Sequence, residues 1–283
     1  MKSAIIQKWK GYKNDPKSFG LFSAVFLAML ITMTALLFVI VYILVKGVPH
    51  LTPDLFAAKY TSENVSLMPA LINTLLMTAL SLLFAVPVGI EAAIYLTEYA
   101  KHGNKLVVLV GRTAETLSGI PSIVYGLFGA LFFVKYLGFG LSLLSGALTL
   151  SIMILPLIMR TTEEALRAVP DSYREGSFGL GAGKLRTVFR IVLPCAVPGI
   201  LSGVTLGIGR IVGESAALLF TAGTVAEPAI SIFDSARTLS VHMYSISGEG
   251  LYIEQTYATA VVLLIVVIAI NALSDYIAKK FFK

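Results

Sequence analysis

Six stretches of the chain are apolar for long enough to cross a bilayer, and polar residues fall mostly between them. They run from Phe19 to Val45, Leu71 to Leu96, Ile120 to Val134, Leu141 to Met159, Ala196 to Ala222 and Tyr257 to Ile277. A helix needs about 20 apolar residues to span the hydrocarbon. The third stretch is the shortest. Leu106 to Gly111 ahead of it is also apolar but runs into Arg112 and Glu115. Residues 104–118 therefore read as a separate helix on the cytoplasmic side, feeding that span. Between the last two spans, Gly223 to Thr256 is too long for a turn, and the mixed apolar spacing of Ile230 to Leu239 predicts a helix within it.

Composition supports this pattern. Of 283 residues, 57% are hydrophobic and only 13% charged, against about 25% charged in an average soluble domain. An all-α membrane protein with six transmembrane helices is the class that fits. Cys195 is the single cysteine and the three histidines are scattered, so neither a disulfide framework nor a metal cluster is expected. The run from Phe19 to Val45 exceeds the roughly 7–15 apolar residues of a signal peptide and has no small-residue cleavage site. It reads as an uncleaved first span.

The net charge of +6 is distributed by side of the membrane and does not point to nucleic acid. With the spans alternating from a cytoplasmic N-terminus, seventeen of the Lys and Arg residues fall in cytoplasmic segments and four in outer ones. Basic residues mark the cytoplasmic face, so both termini and the stretch from Glu175 to Pro194 are expected there. Arg210 is left over, inside the fifth span.

"EGSFGLGAGKLRTVFRIVLP" (Glu175 to Pro194) resembles a phosphate loop at first glance. A Walker loop needs a glycine five residues before Gly183 and a hydroxyl after Lys184. Phe178 and Leu185 stand there instead. The dinucleotide form fails as well, because Lys184 occupies its third glycine and no strand precedes it. Pro170-Asp171-Ser172 instead starts a helix, the glycines at 179, 181 and 183 break it, and Lys184 to Leu193 forms a second helix before Pro194 leads into span five.

Two features of this pattern carry candidate chemistry. Arg210 and Glu214 lie four residues apart in span five, on one helical face where they can pair. A charge inside a span costs about 2.5–3.5 kcal/mol on insertion scales, so it lines a pathway or sits in a buried clamp. Both readings stay open here. Gly207, Gly209 and Gly213 around the pair would let a helix or a solute approach. Arg160 ends span four as a positive-inside anchor, with Glu163, Glu164 and Arg167 spaced for pairing along a helix surface.

The order Glu175-Gly176-Ser177, then Gly181, then Ile191-Val192-Leu193-Pro194 resembles the EAA motif of ABC importer permeases of the MetI-like fold. Glycine and serine replace the motif's two alanines. The resemblance implies a cytoplasmic coupling helix that docks on a separate ATPase through Glu175, Gly176, Ser177, Gly181, Ile191, Leu193 and Pro194. The bland alternative is a solvated basic loop. "LSGIPSIVYGLFG" (Leu117 to Gly129), "RTTEEALRAVP" (Arg160 to Pro170), "GIGRIVGESAALLFTAG" (Gly207 to Gly223) and "SVHMYSISGEG" (Ser240 to Gly250) are similar to PstA-type permeases of phosphate-specific ABC transporters. Ser240 stands where those have proline.

That resemblance, over about residues 70–278, implies a bacterial or archaeal inner-membrane importer of inorganic phosphate with Arg210, Glu214 and Arg160 on the substrate pathway. It implies a PstC-type second permease, a PstB-type ATPase dimer and an extracellular phosphate-binding protein. No cofactor is expected in this chain, since ATP and Mg would bind the ATPase. The chain then divides into a basic tail (1–18), a first transmembrane helix with its outer loop (19–68) and a permease core (69–283) whose EAA loop covers 160–194. A permease for sulfate or molybdate, or an ATP-independent channel or carrier, would share most of these features.

Overall fold

The computed structural model describes residues 16–100, 103–248 and 250–281. Lys2, Lys8, Lys10, Lys13, Lys101 and Lys283, counted above for orientation, lie outside them. The regular structure of the described residues is all helical, without strands. In chain order the helices are α1 (Pro16–Gly47), α2 (Met68–Ile94), α3 (Lys105–Ser118), α4 (Ser122–Gly129) and α5 (Leu143–Arg167). They continue with α6 (Asp171–Gly179), α7 (Lys184–Thr187), α8 (Leu193–Val212), α9 (Ala216–Thr221), α10 (Leu239–Gly248) and α11 (Ile253–Phe281). Wider π-helical turns extend three of them: Tyr95–Tyr99 after α2, Ala130–Tyr136 after α4, and Val188–Val192 between α7 and α8.

Five helices are long and apolar enough to cross a membrane. Val107–Ser118 and Ser122–Tyr136 form a bent pair, meeting at 103°, that makes a sixth candidate when the two are taken as one broken span. Gly119 and Pro121 make that bend, since proline excludes the preceding residue from helix. Helix α5 is the axis of the bundle: it packs against α2 and α8. Leu150, Met153, Ile154 and Ile158 on α5 are fully buried. The chain from Arg160 to Arg167, expected as loop, remains part of α5.

The α5–α8 interface is made by glycine. A Cβ on Gly199 would lie 2.6 Å from that of Ala165, and one on Gly203 would lie 1.9 Å from the Thr161 hydroxyl. Gly207 continues the row against Ile154 and Ile158. Spacing of four on one helix face is the small-residue pattern that lets membrane helices approach backbone to backbone.

Pro194 does not open span five. The helix runs without interruption from Lys184 to Val212. The Leu193 amide bonds back five residues, to the Val188 carbonyl, and this wider turn accommodates the proline that an ordinary turn would not.

Residues 230–238 are not helical: 230–234 form a bend and turn, with the Asp234 amide bonding to Ser231 O at 3.1 Å, and the helix begins at Leu239. The Asp234 carboxylate accepts from the Ile230 and Ser231 amides at 3.0 and 2.7 Å. The carbonyls of Asp234 and Ile232 accept from Leu143 and Leu144, both at 2.8 Å. They thus satisfy the first-turn amides of α5, which a helix cannot bond internally. Buried Asn73 of α2 fastens this segment by bonds to Glu227, Ala229 and Arg237.

His242 of α10 is fully buried at the same end, with the Tyr60 ring edge-on at 5.9 Å. Neither ring nitrogen meets hydrogen-bond geometry. Burial, and then the Arg237 charge, lower its pKa to about 4, opposed only by the Val65 backbone.

Two expectations follow. Gly203→Ala should destabilise the detergent-solubilised protein by about 1–3 kcal/mol, whereas Gly209→Ala, with open space at its Cβ, should leave thermal unfolding unchanged. An unfolded histidine binds its proton near pH 6.5 and folded His242 only near 4. Stability is therefore full above about pH 6.5 and falls as pH drops towards 4, by about 3 kcal/mol over the window. His242→Phe should flatten that dependence in unfolding curves taken across the range.

Candidate functional site

The expected Arg210–Glu214 pair does not form. Helix α8 ends at Val212, and Gly213 to Ser215 break the span before α9. Glu214 therefore leaves the helical register that would place it beside Arg210. Its carboxylate turns to the Ala217 amide at 3.1 Å, satisfying one free donor at the start of α9. Its carbonyl accepts from the Ser240 hydroxyl of α10. Glu214 thus shapes the break. Arg210, half-buried in the last turn of α8, has no hydrogen bond or ion pair among the described residues.

A second broken span faces the first. Helices α4 and α9 pack through Gly126, where a Cβ would come within 2.8 Å of the Ala217 backbone. Buried Tyr125 of α4 lies within electrostatic reach of Arg210. Its hydroxyl donates to the Leu117 carbonyl at 2.7 Å, across the bend between α3 and α4. A permanently charged, forked donor beside two interrupted helices can receive an oxyanion.

Arg160 sits elsewhere. By the glycine register of α5 and α8, it lies about six residues, roughly 9 Å, closer than Arg210 to the end that carries α6 and α7. It is 48% exposed and meets Glu115 of α3 at 3.7 Å. An exposed pair at that distance is worth under about 1 kcal/mol and yields readily to another partner. Arg112, Glu163, Glu164 and Arg167 share the same cleft, and Arg167 pairs with Glu163 at 3.5 Å as the spacing predicts.

The α6–α7 loop is rigid by construction. Gly181 takes φ +82°, a left-handed conformation suited to glycine. The Gly181 amide bonds to Phe178 O at 2.9 Å and the Ala182 amide to Ser177 O at 3.1 Å, the paired closure of a Schellman turn. Ser177 is buried and bonds Thr187 at 2.8 Å, stapling α6 to α7. Leu193 packs inward with Val188, Val192 and Ile200, while Ile191 lines a cleft beside Arg186 and Arg190. Glu175, Gly176 and Pro194 face outward. The seven motif residues therefore divide between the surface of the loop and its internal scaffold.

Three features escape sequence reasoning. Leu180 is 91% exposed at the tip of the loop, flanked by exposed Phe178 and Leu185. The signal for it is visible in the chain: apolar residues alternate with the turn glycines. Lys184 lies 5.2 Å over the Tyr99 ring. Arg174 has no such signal. Its Nη2 donates to Glu98 Oε1 at 2.7 Å, and its Nε to both Glu98 oxygens at 3.2 and 3.4 Å. It also donates to the carbonyls of Leu166 and Val169 at the end of α5, at 2.9 and 2.8 Å, and to Asp171 at 3.1 Å. The Arg174 and Glu98 side chains are 15% and 8% exposed. The hydrogen bond to Glu98 is the main influence that raises the Arg174 pKa still further.

A polytopic bundle that keeps an unpaired guanidinium at a helix break and holds a stiff helical loop out from one end is built as a membrane transport subunit. Residues 85–283 match the family of binding-protein-dependent transport system inner membrane components, and the chain belongs to that family. It is 33% identical over 248 residues, 82% of each chain, to the probable ABC transporter permease YqgI of Bacillus subtilis. It is 37% identical over 205 residues to the phosphate transport system permease PstA 1 of Mycobacterium tuberculosis, covering 71% of this chain and 67% of that one. A chain in the crystal structure of a bacterial alginate ABC transporter shares the fold, with a TM-score of 0.70 over 97% of this chain and 98% of that one at 17% identity.

The Schellman turn makes a local prediction. Gly181→Ala should cost about 1–2 kcal/mol, the usual penalty of a left-handed Cβ, and should speed exchange of the Ala182 amide with solvent. Gly183→Ala, at φ −75° in open space, should leave that exchange unchanged.

Proposed function

We propose that the chain is the permease subunit of an ATP-driven importer of inorganic phosphate. It performs no covalent chemistry of its own. ATP and Mg are bound and consumed on a PstB-type ATPase dimer, while a PstC-type permease completes the pathway and an extracellular phosphate-binding protein delivers the substrate. The observation that carries the reading is Arg210: half-buried and free of any internal counter-charge among the described residues, at the break of a span that faces a second broken span. Support for phosphate comes from the relatives that carry the phosphate permease name at 37% identity.

In this reading both termini and the α6–α7 loop face the cytoplasm, following the excess of Lys and Arg at that end. Phosphate meets Arg210 within the membrane, where a charge-assisted fork is strongest for lack of competing water. Arg160, weakly held by Glu115, offers a second positive station nearer the exit. Glu214 acts on the pathway by holding the break open. On the loop, Leu180 and Phe178 are the apolar knobs that enter the ATPase, with Glu175, Gly176 and Pro194 on the surface around them, and Ser177, Gly181 and Leu193 maintain their shape.

Arg210→Ala in the assembled complex should lower ATP-driven phosphate uptake into vesicles by about ten- to a hundredfold, the worth of one or two hydrogen bonds to a charge. Excess sulfate or molybdate should not compete with wild-type uptake. Uptake that is unaffected in the variant would make Arg210 a packing residue, and uptake without the ATPase would make the protein a carrier.

A further inference from the structure

The loop reaches α5 and α8 through the chain itself: three residues join α6 to α5, and α7 runs into α8 without a break. It has no covalent route to α2. Two side-chain contacts supply one, and both use the π-helical turn that ends α2. Glu98 takes three donor contacts from Arg174 of α6, and its neighbour Tyr99 lies under Lys184 of α7. Each of the two loop helices thus holds one of two consecutive α2 residues.

We infer that Glu98 and Arg174 are positioning residues that make α2 move with the loop, so that displacement of the loop by its partner reaches this span as well as α5 and α8. The inference rests on the ATP-driven reading above. Arg174 donates from all three of its nitrogens, to the end of α5, to its own helix and to α2. A fork held at so many points leaves little slack between the bodies it joins. The site is also nearly closed to water, so salt and solvent screen the attraction little. Stability alone does not explain it. A buried ion pair generally gains nothing over apolar residues of the same volume, and Ile94, Leu166, Val169 and Val188 already supply such packing beside it. What the pair adds is a fixed relative position.

The complex with its ATPase, reconstituted in vesicles, provides the test. Uptake of labelled inorganic phosphate is measured against ATP hydrolysed, for wild type and for the double variant Glu98→Leu, Arg174→Met. The apolar pair should preserve assembly, thermal stability and the phosphate concentration for half-maximal uptake. The phosphate moved per ATP should fall at least about fivefold, the low end of ordinary coupling energies. Tyr99→Leu, which removes only the cation–π contact, should lower the same ratio less. A double variant with the wild-type ratio overturns the inference. So does one whose uptake and hydrolysis fall in parallel, or one that does not assemble, because each makes the pair purely structural. Wild-type vesicles that hydrolyse ATP without importing phosphate overturn the functional reading itself.

Discussion

Hydrocarbon offers no hydrogen bonds, so each place where a helix breaks in this bundle needs its polar backbone groups satisfied from within the protein. The breaks follow that constraint closely. At the bend between α3 and α4 the Tyr125 hydroxyl takes up the Leu117 carbonyl. Between α8 and α9, Glu214 serves the Ala217 amide while Ser240 serves the Glu214 carbonyl. At the head of α5, carbonyls of the 232–234 turn and the Ser142 hydroxyl take the amides that the helix cannot use. Irregular backbone is concentrated where side chains can complete it. Of these places, the break after α8 carries Arg210, and Tyr125 of the α3–α4 bend lies within its electrostatic reach.

The two candidate arginines illustrate how environment divides one chemistry into two uses. Arg160 stands in a cleft of mixed charge, with carboxylates within reach and water on one side. Its charge is shared weakly with carboxylates that another partner can displace. Glu214, four residues on from Arg210, is turned to a helix end, and Arg210 has no ion pair among the described residues. The difference originates in backbone geometry, because three residues of broken helix decide which way Glu214 turns.

Much of this architecture is legible in the chain. The apolar runs mark the spans, Gly119 and Pro121 mark the bend, and the glycines at 179, 181 and 183 mark the stiff turn, since each acts through local chemistry. What stays hidden depends on distant partners. Residues 230–238 have mixed apolar spacing that suggests a helix, but the carbonyls of Ile232 and Asp234 are taken by amides of α5 some ninety positions earlier. Glu214 sits at ideal pairing distance for an unbroken helix, and its capping role appears only once Ser240 and the start of α9 are in place. Pro194 looks like a helix start because the wider turn that absorbs it has no sequence mark. Glu98 and Arg174 are seventy-six positions apart, and neither residue alone differs from an ordinary surface charge.

Helix α1 follows a different rule from the rest. Its apolar side chains are exposed along most of its length, and it is pressed against the protein where Gly47 meets the Tyr257 backbone and Tyr42 meets the Tyr257 ring. Along most of this helix, then, the described residues of this chain ask for hydropathy and not for a particular shape. One bulky apolar residue can replace another there without a neighbour among the described residues to object, so as far as this chain is concerned the segment can drift in sequence while its hydropathy stays fixed. The drift should stop at position 47, where a single methyl group would collide with the last helix of the chain.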